Sequence, residues 1–310
     1  MAKKAERTMS ENKLDYLPPE DGFLHLPQDQ AISPEQARAV LIPFGLERSV
    51  SYAGGTAKGP RAILDASPNL EFFDEVFWRE PFRDYGIATL REPVIKGSLE
   101  QALDQLEALV ETALASGKFP LVLGGEHSLT PGAIRPYARR HEQLTILQFD
   151  AHADLRDGYE GIHYSHAAAM CRCLDHKNVR LVSVGIRNIS AEEIPVLERN
   201  ENRIDIFWAK DKKKWTAEDV ARAVGAGPTY ITFDIDGFDS SLIPATGTPE
   251  PGGLFWDEVM DILAAVAEKA DIVGADVVEL SPREGLHACD FLAAKLCYKI
   301  LSYSLLKAKI

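Results

Sequence analysis

Three shortages in this 310-residue chain each remove a class of function: few cysteines, no long apolar run, and too few basic residues to balance the acidic ones. The four cysteines, Cys171, Cys173, Cys289 and Cys297, are too sparse for a secreted disulfide scaffold and do not form the paired CxxC spacing of a zinc site. They read as idle or buried thiols of a reduced cytoplasm. No uninterrupted apolar run reaches the roughly 18 residues of a membrane span. The opening MAKKAERTMSENK is basic and polar but leads into no apolar segment, so no secretory signal is expected and a cytoplasmic location is. Lys and Arg number 34 against 47 Asp and Glu, a net charge of -13. That balance repels phosphate backbones and anionic lipid, so neither nucleic acid nor membrane is an expected partner and a cationic ligand is favoured. Internal repeats, low-complexity tracts and domain-splitting linkers are also missing.

What remains is an ordinary globular composition, 45% hydrophobic and 26% charged. A chain of this length buries about three quarters of the surface its unfolded form exposes, so it needs no structural metal to hold a core. A metal found in it would serve chemistry. Residues 1 to about 36 are polar and broken by Pro18, Pro19, Pro27 and Pro34, and read as an N-terminal arm outside the core. Residues 37–310 are expected to form the second unit, a single domain that would carry any site.

Within it, short β-branched runs alternate with segments of helical period. Strands are predicted at Ala39–Pro43, Tyr85–Ala88, Leu121–Leu123, Thr145–Phe149, Val179–Val184, Ile204–Trp208, Tyr230–Phe233 and Ile272–Val278. Helices are predicted across Leu99–Ser116, Ala133–Arg140, from about Ala191, across Ala217–Val224 and Trp256–Ala270, and from about Ala288 to Leu306, where the last could serve an interface. About eight continuous apolar strands with helical crossovers imply an α/β fold, a three-layer αβα domain with a parallel sheet. A closed barrel of the same strand count is the competing architecture.

In open α/β sheets ligands bind beyond the carboxyl ends of the strands. Four predicted ends carry polar residues: Gly124-Gly125-Glu126-His127-Ser128, Asp150-Ala151-His152-Ala153-Asp154, Asp234-Ile235-Asp236, and Glu279. Each alone is weak, since a DxD is usually a turn and a histidine after glycines usually a loop residue. Together they are not. Asp150, His152 and Asp154 alternate so that an extended segment can aim them at one centre. Two imidazoles (His127, His152) and four carboxylates (Asp150, Asp154, Asp234, Asp236) exceed one tetrahedral zinc and suit two divalent ions sharing carboxylates. An oxygen-rich set without thiolate points to two Mn²⁺ per chain, with Zn²⁺, Co²⁺ or Ni²⁺ able to compete. Four aspartates offset the charge of two such ions, and a bridging hydroxide then leaves a slightly negative site that accepts a cation.

These segments, together with Gly55–Ala62 (GTAKGPRA), Ser183–Arg187 (SVGIR), Pro244–Leu254 (PATGTPEPGGL) and Ala275–Pro282 (ADVVELSP), resemble the ureohydrolases, the arginase and agmatinase family. The resemblance spans most of the chain. It implies a parallel sheet flanked by helices, a binuclear manganese centre, and cleavage of a guanidino C–N bond to release urea. It assigns His127, Asp150, His152, Asp154, Asp234 and Asp236 as metal ligands with Asp150 and Asp234 bridging, Glu279 as the carboxylate that holds the guanidinium, and His166 as the proton shuttle. It also implies a homo-oligomer, trimer or hexamer.

The chemistry supports each role. A guanidinium is a poor electrophile and needs an ionised water, a planar cation suits paired hydrogen bonds donated to a carboxylate, and a departing amine needs a proton from a group titrating near neutrality. The loop Leu155–Ser165 lacks the polar Asn/Thr/Ser set and the Asn-Leu-His-Gly signature of arginases and resembles the agmatinase type, so agmatine is the expected substrate and putrescine, a polyamine precursor, the product. His163 reads as a loop or entrance residue. The alternatives are a guanidinobutyrase, guanidinopropionase or formiminoglutamase, for which Arg156 or Arg172 would meet the acid tail, and a silent metal-binding paralogue. Thr246–Pro249 is expected to shape the loop behind the metals.

Overall fold

The computed structural model describes residues 14–306. Eight parallel strands form one sheet: β1 (Ala39–Phe44), β2 (Ile87–Thr89), β3 (Phe119–Gly124), β4 (Leu144–Phe149), β5 (Val179–Val184), β6 (Ile204–Phe207), β7 (Pro228–Asp234) and β8 (Asp271–Val278). Their spatial order is β2-β1-β3-β8-β7-β4-β5-β6. β2 and β6 are opposite edges, so the sheet is open and the barrel alternative fails. The short edge strands, three and four residues long, leave little unpaired backbone at either side.

Both faces of the sheet are covered, which is why the strands read as continuous apolar runs. Leu41, Leu121, Leu147 and Val277 enter one core with helices α1 (Gly59–Ala66), α7 (Ala217–Val224), α8 (Trp256–Lys269) and α9 (His287–Leu305). Val40, Ile42, Val122 and Ile146 enter the other with α3 (Leu99–Ala115), α4 (Thr130–Arg140) and α5 (Ala169–Cys173). The period of two along each strand thus divides its side chains between two helical layers. α3 shows the matching logic for a helix. Ala102, Leu103, Leu106, Val110 and Ala113 make one buried stripe, and the Ser98–Gln101 capping box satisfies its first turn. Truncating Leu106 to Ala would cost about 2–5 kcal/mol.

Some boundaries differ from the sequence expectation. Tyr85 ends a helical turn, α2 (Phe82–Tyr85), and the strand begins only at Ile87. The helix expected from Ala191 is α6 (Ile194–Arg199), with Pro195 in its first turn. The helix α1 was not anticipated, although Pro60 in its first turn marks a helix start. Residues 1–13 of the expected arm lie outside the described residues. In its remainder Phe23, Leu24 and Leu26 are buried in the core, contrary to the expectation that this stretch lies outside it. Prolines deny it a long helix but not burial: Thr89 Oγ1 accepts from Phe23 N at 2.9 Å and Ser67 Oγ from Leu24 N at 2.8 Å.

The connections position the site. The chain steps from β3 across to β4, and β8 and β7 later fill the gap between them. A crevice therefore opens beyond the carboxyl ends of four adjacent strands, β3, β8, β7 and β4.

Candidate active site

Those four strand ends converge on a cavity of about 300 Å³ lined by His127, His152, Asp154, Asp234, Asp236 and Glu279, with His166 in its wall. His127 leaves β3, and Asp150, His152 and Asp154 leave β4. Asp234 and Asp236 leave β7, and Glu279 follows β8. Every residue singled out at the strand ends is therefore drawn to one place, with Asp150 fully buried beneath the cavity floor.

Backbone donors aim the carboxylates. Asp150 Oδ1 accepts from His152 N at 2.7 Å, Asp234 Oδ1 from Asp236 N at 2.9 Å, and Asp236 Oδ1 from Ala151 N at 2.9 Å. One oxygen of each is thereby tied down and the second is turned toward the others. Gln148 Nε2 donates to Asp150 Oδ2 at 2.8 Å, while its own carbonyl accepts from Ser183 Oγ at 2.6 Å. Gly237 lets the β7 end approach this floor, for a Cβ there would lie 2.8 Å from Asp150 N.

Two of the strand-end acids carry left-handed φ angles that side chains rarely adopt: Asp154 at 52° and Glu279 at 66°. Each costs about 1–2 kcal/mol, and strain of this kind concentrates where a site needs a side chain turned inward. At Glu279 the turn is held by Glu279 N donating to Gly125 O at 2.8 Å. Its side-chain Oε1 accepts from His127 N at 2.7 Å, leaving Oε2 for a ligand.

The donor set fits metal. His127 Nδ1 is buried 3.2 Å from Asp150 Oδ2, 3.1 Å from Asp154 Oδ2 and 3.4 Å from Asp234 Oδ2, yet makes no hydrogen bond. These are the separations of atoms that share a cation, with bonds of about 2.0–2.2 Å. The other ring nitrogen, Nε2, meets Thr232 Oγ1 at 2.8 Å, and Thr232 passes its own proton to Asp276 Oδ1 at 2.6 Å. Thr232 can therefore only accept from His127, which puts the ring proton on Nε2 and leaves Nδ1 a free ligand. His152 Nδ1 lies 3.0 Å from Asp236 Oδ2 and 3.6 Å from Asp150 Oδ1. Two groups, His127 with Asp150 and Asp234, and Asp150 with His152 and Asp236, have ligand atoms close enough to hold an ion each, and they share Asp150.

The electrostatics demand positive charge. Burial, with the Asp150 carboxylate beside it, pushes Asp154 up to about 7. Burial, together with Asp236 and Asp150, raises Asp234 well above the ordinary carboxylate range. Burial also pushes Glu279 up to about 8, against the hydrogen bond from His127 N–H and with the Glu126 carboxylate adding to the rise. His152 goes the other way. Burial alone would lower it, but Asp236 and Asp150 outweigh burial and carry it to about 12. So many buried acids call for cations, and divalent ions with a cationic substrate answer that need.

The remaining residues singled out in the sequence divide. His166 is held by a loop after β1, its Nδ1 3.2 Å from Ser49 Oγ, and burial lowers its pKa. Arg156 lines the cavity, but it is paired with Glu192 and lies 4.8 Å over the Tyr159 ring. Arg172 is buried away from the cavity lining, bound to Asp157 Oδ1 at 2.5 Å. His163 lies against Arg172 and Tyr164, outside the lining. Gly247 and Thr248 line the cavity wall.

Sequence reasoning assigned no role to Gln148, Thr232 or Asp276. A signal for the first two was present: each sits on a strand two residues before an aspartate at or just past that strand's end, Asp150 for Gln148 and Asp234 for Thr232. Asp276 interrupts an apolar strand, and such a buried polar residue needs partners, here Thr130, Tyr230 and Thr232.

A family model described as the arginase family matches residues 37–302. An N(1)-aminopropylagmatine ureohydrolase of Synechocystis sp. is 35% identical over 280 residues, covering 86% of this chain and 89% of its own. An agmatinase of Bacillus anthracis is 33% identical over 256 residues, covering 80% and 85% respectively. The crystal structure of an agmatine ureohydrolase of Thermoplasma volcanium superimposes with a TM-score of 0.80 at 31% identity, covering 89% of this chain and 93% of that one.

Proposed function

The chain belongs to the arginase family and is a hydrolase acting on guanidino compounds, and from that premise we propose that it cleaves the guanidino C–N bond of agmatine to give putrescine and urea, the putrescine-forming step of polyamine biosynthesis. The observation that carries this reading is the charge of the cavity. Its lining holds Glu193, Glu250 and Glu279 beside the metal-binding aspartates, and Arg156, the lone Arg or Lys among its described residues, is already paired with Glu192. A substrate with a cation at both ends suits such a wall. An acid-tailed one would find no free basic partner, and a buried anion without donors costs several kcal/mol.

Two Mn²⁺ per chain would be held by His127, Asp150, Asp154 and Asp234 on one side and His152, Asp150, Asp234 and Asp236 on the other. When bound, such ions supply Lewis acidity and ionise water at neutral pH. The residues do the rest. Glu279 Oε2 receives the guanidinium N–H groups while His127 N–H keeps Oε1 in place, so the planar carbon faces the aspartate cluster. His166, kept neutral near pH 7 by burial, takes a proton from the attacking water and delivers it to the departing amine nitrogen. One water is consumed, and urea and the protonated amine leave.

A second reading is N1-aminopropylagmatine, whose tail carries a further amine. It is supported by the name of the relative that is 35% identical and by Glu250 in the cavity wall, whose carboxylate has no ion-pair partner among the described residues. Urea release from Mn²⁺-loaded protein across agmatine, N1-aminopropylagmatine, L-arginine and 4-guanidinobutyrate separates these. Both amine-tailed substrates should exceed the acid-tailed ones in kcat/KM by about 10² or more, at 1.4 kcal/mol per tenfold. Comparable values for arginine would overturn the substrate assignment.

A cytoplasmic location and a trimer or hexamer belong to the same proposal. The first is supported by four free buried thiols, and no helix among the described residues is long and apolar enough to cross a membrane. The second is supported by the exposed pair Phe73 and Trp78, whose rings pack edge to face at 5.4 Å on the surface. A monomeric mass by light scattering would remove it.

A further inference from the structure

We propose that Ser49 and Glu126 are positioning residues that hold His166 as the Nδ1–H tautomer, so that Nε2 is the atom that moves the proton. This rests on the reading of His166 as the proton carrier given above. Glu126 sits between the β3 end and His127, is fully buried, and does not line the cavity, so it has no part in holding substrate.

Its carboxylate is fully occupied. Oε2 accepts from Arg48 N at 2.8 Å and Ser49 N at 2.7 Å, and Oε1 accepts from Ser49 Oγ at 2.9 Å and from Ser128 Oγ. Backbone amides can only donate, so this group acts as an acceptor. A hydroxyl has one proton, and the proton of Ser49 is committed to Glu126. Toward His166 Ser49 can then only accept. It does so from His166 N at 3.0 Å, and its remaining lone pair faces His166 Nδ1 at 3.2 Å. A nitrogen opposite an acceptor must carry hydrogen, which leaves the lone pair on Nε2. Ser165 Oγ, 3.4 Å from Nδ1, is the competing neighbour. It could donate to Nδ1 and favour the opposite tautomer if Ser49 were lost. Ser51 Oγ stands 3.5 Å from Nε2, and Tyr159 packs edge to face on the ring at 6.2 Å. Ser49 Oγ thus accepts from the ring Nδ1–H as the carboxylate of a Ser-His-Asp triad does, with the Glu126 carboxylate one step further back.

The test is steady-state kinetics on the metal-loaded protein, with the better substrate of agmatine and N1-aminopropylagmatine, alongside metal analysis. Ser49→Ala should lower kcat by about 10- to 100-fold while KM and metal content stay at the wild-type values, and Ser49→Thr, which keeps the hydroxyl, should restore most of the rate. Glu126→Gln can turn an N–H toward Ser49 in place of an acceptor, and its kcat should fall similarly with metal retained. The double variant Ser49→Ala/His166→Ala should be no slower than His166→Ala alone. Wild-type kcat in Ser49→Ala, with His166→Ala severely impaired, would overturn the relay and leave the role of His166 standing. A loss in Ser49→Ala that comes with lost metal, or that Thr does not rescue, would overturn it as well. Wild-type kcat in His166→Ala would overturn the reading of His166 itself, and the relay with it.

Discussion

His127 can offer only one nitrogen to the centre because the other is spent on Thr232, and Thr232 can only accept because its proton goes to Asp276. His127 just beyond β3, Thr232 on β7 and Asp276 on β8 thereby fix one lone pair, and partners of this kind tune a metal site by about 10- to 100-fold in affinity. Thr232→Val removes the acceptor and should weaken Mn²⁺ binding by about that factor, read by metal titration followed through bound-metal analysis. Asp234→Ala removes a residue proposed to serve both ions and should reduce the stoichiometry from two to at most one. A single ion per chain, unchanged in Asp234→Ala, would overturn the binuclear assignment.

The residues that converge on the cavity were legible because they stand at strand ends, where one residue's neighbours in sequence are also its neighbours in space. Ser49 was not, since its partners Glu126 and His166 lie 77 and 117 residues away in the chain. The positive φ angles of Asp154 and Glu279 were hidden for the same reason, because the strain is paid for by contacts from other strands.

At the scale of elements, apolar runs alone placed the strands to within a few residues, most plainly for β1, β3 and β4, which are buried along their whole length. The shortest helices escaped it: α2 and α5 have four and five residues, too few for a periodic stripe to stand out.

The closing helix α9 shows a different limit. Its Lys299 interrupts an apolar run and would normally mark a solvent face, yet it is buried. Lys299 Nζ lies 2.9 Å from Asp74 Oδ2 and 2.8 Å from Glu75 Oε1, tying the helix to the segment before α2. Asp74 is itself fully buried and also accepts from Val76 N at 2.9 Å. Lys299→Met would strand that carboxylate, and breaking a buried pair from one side costs about 3–5 kcal/mol. Chemical denaturation should show the loss as a lower midpoint with an unchanged slope. Replacing both partners, Lys299→Met with Asp74→Leu, should recover part of it, and a single variant as stable as wild type would show that the pair contributes nothing. From Ala293 on, α9 is mostly packed against the sheet and its neighbouring helices, and its exposed side is confined to the first turns around Phe291.

For the molecule as a whole, the charge of -13 and the acidic cavity act in the same direction. An acidic protein with an acidic crevice concentrates field lines at the opening, and a small polycation is drawn toward it before any contact forms. This attraction is screened over a Debye length of about 10 Å at 0.1 M salt and about 3 Å at 1 M. The hydrogen bonds proposed from the guanidinium to Glu279, and the chemistry at the cluster, act within contact distance and are screened far less.

Ionic strength should therefore separate capture from turnover. Raising NaCl from about 0.02 to 0.5 M should lower kcat/KM for agmatine several-fold and leave kcat nearly constant. N1-aminopropylagmatine, with one more positive charge, should show the steeper slope if the cavity wall around Glu250 meets its tail. Glu250→Gln should flatten that extra slope and leave agmatine's own dependence largely in place. Equal slopes for the two substrates would mean that only the guanidinium end senses the acidic wall. A kcat/KM indifferent to salt would remove electrostatic capture from the account, whatever bond the enzyme cleaves.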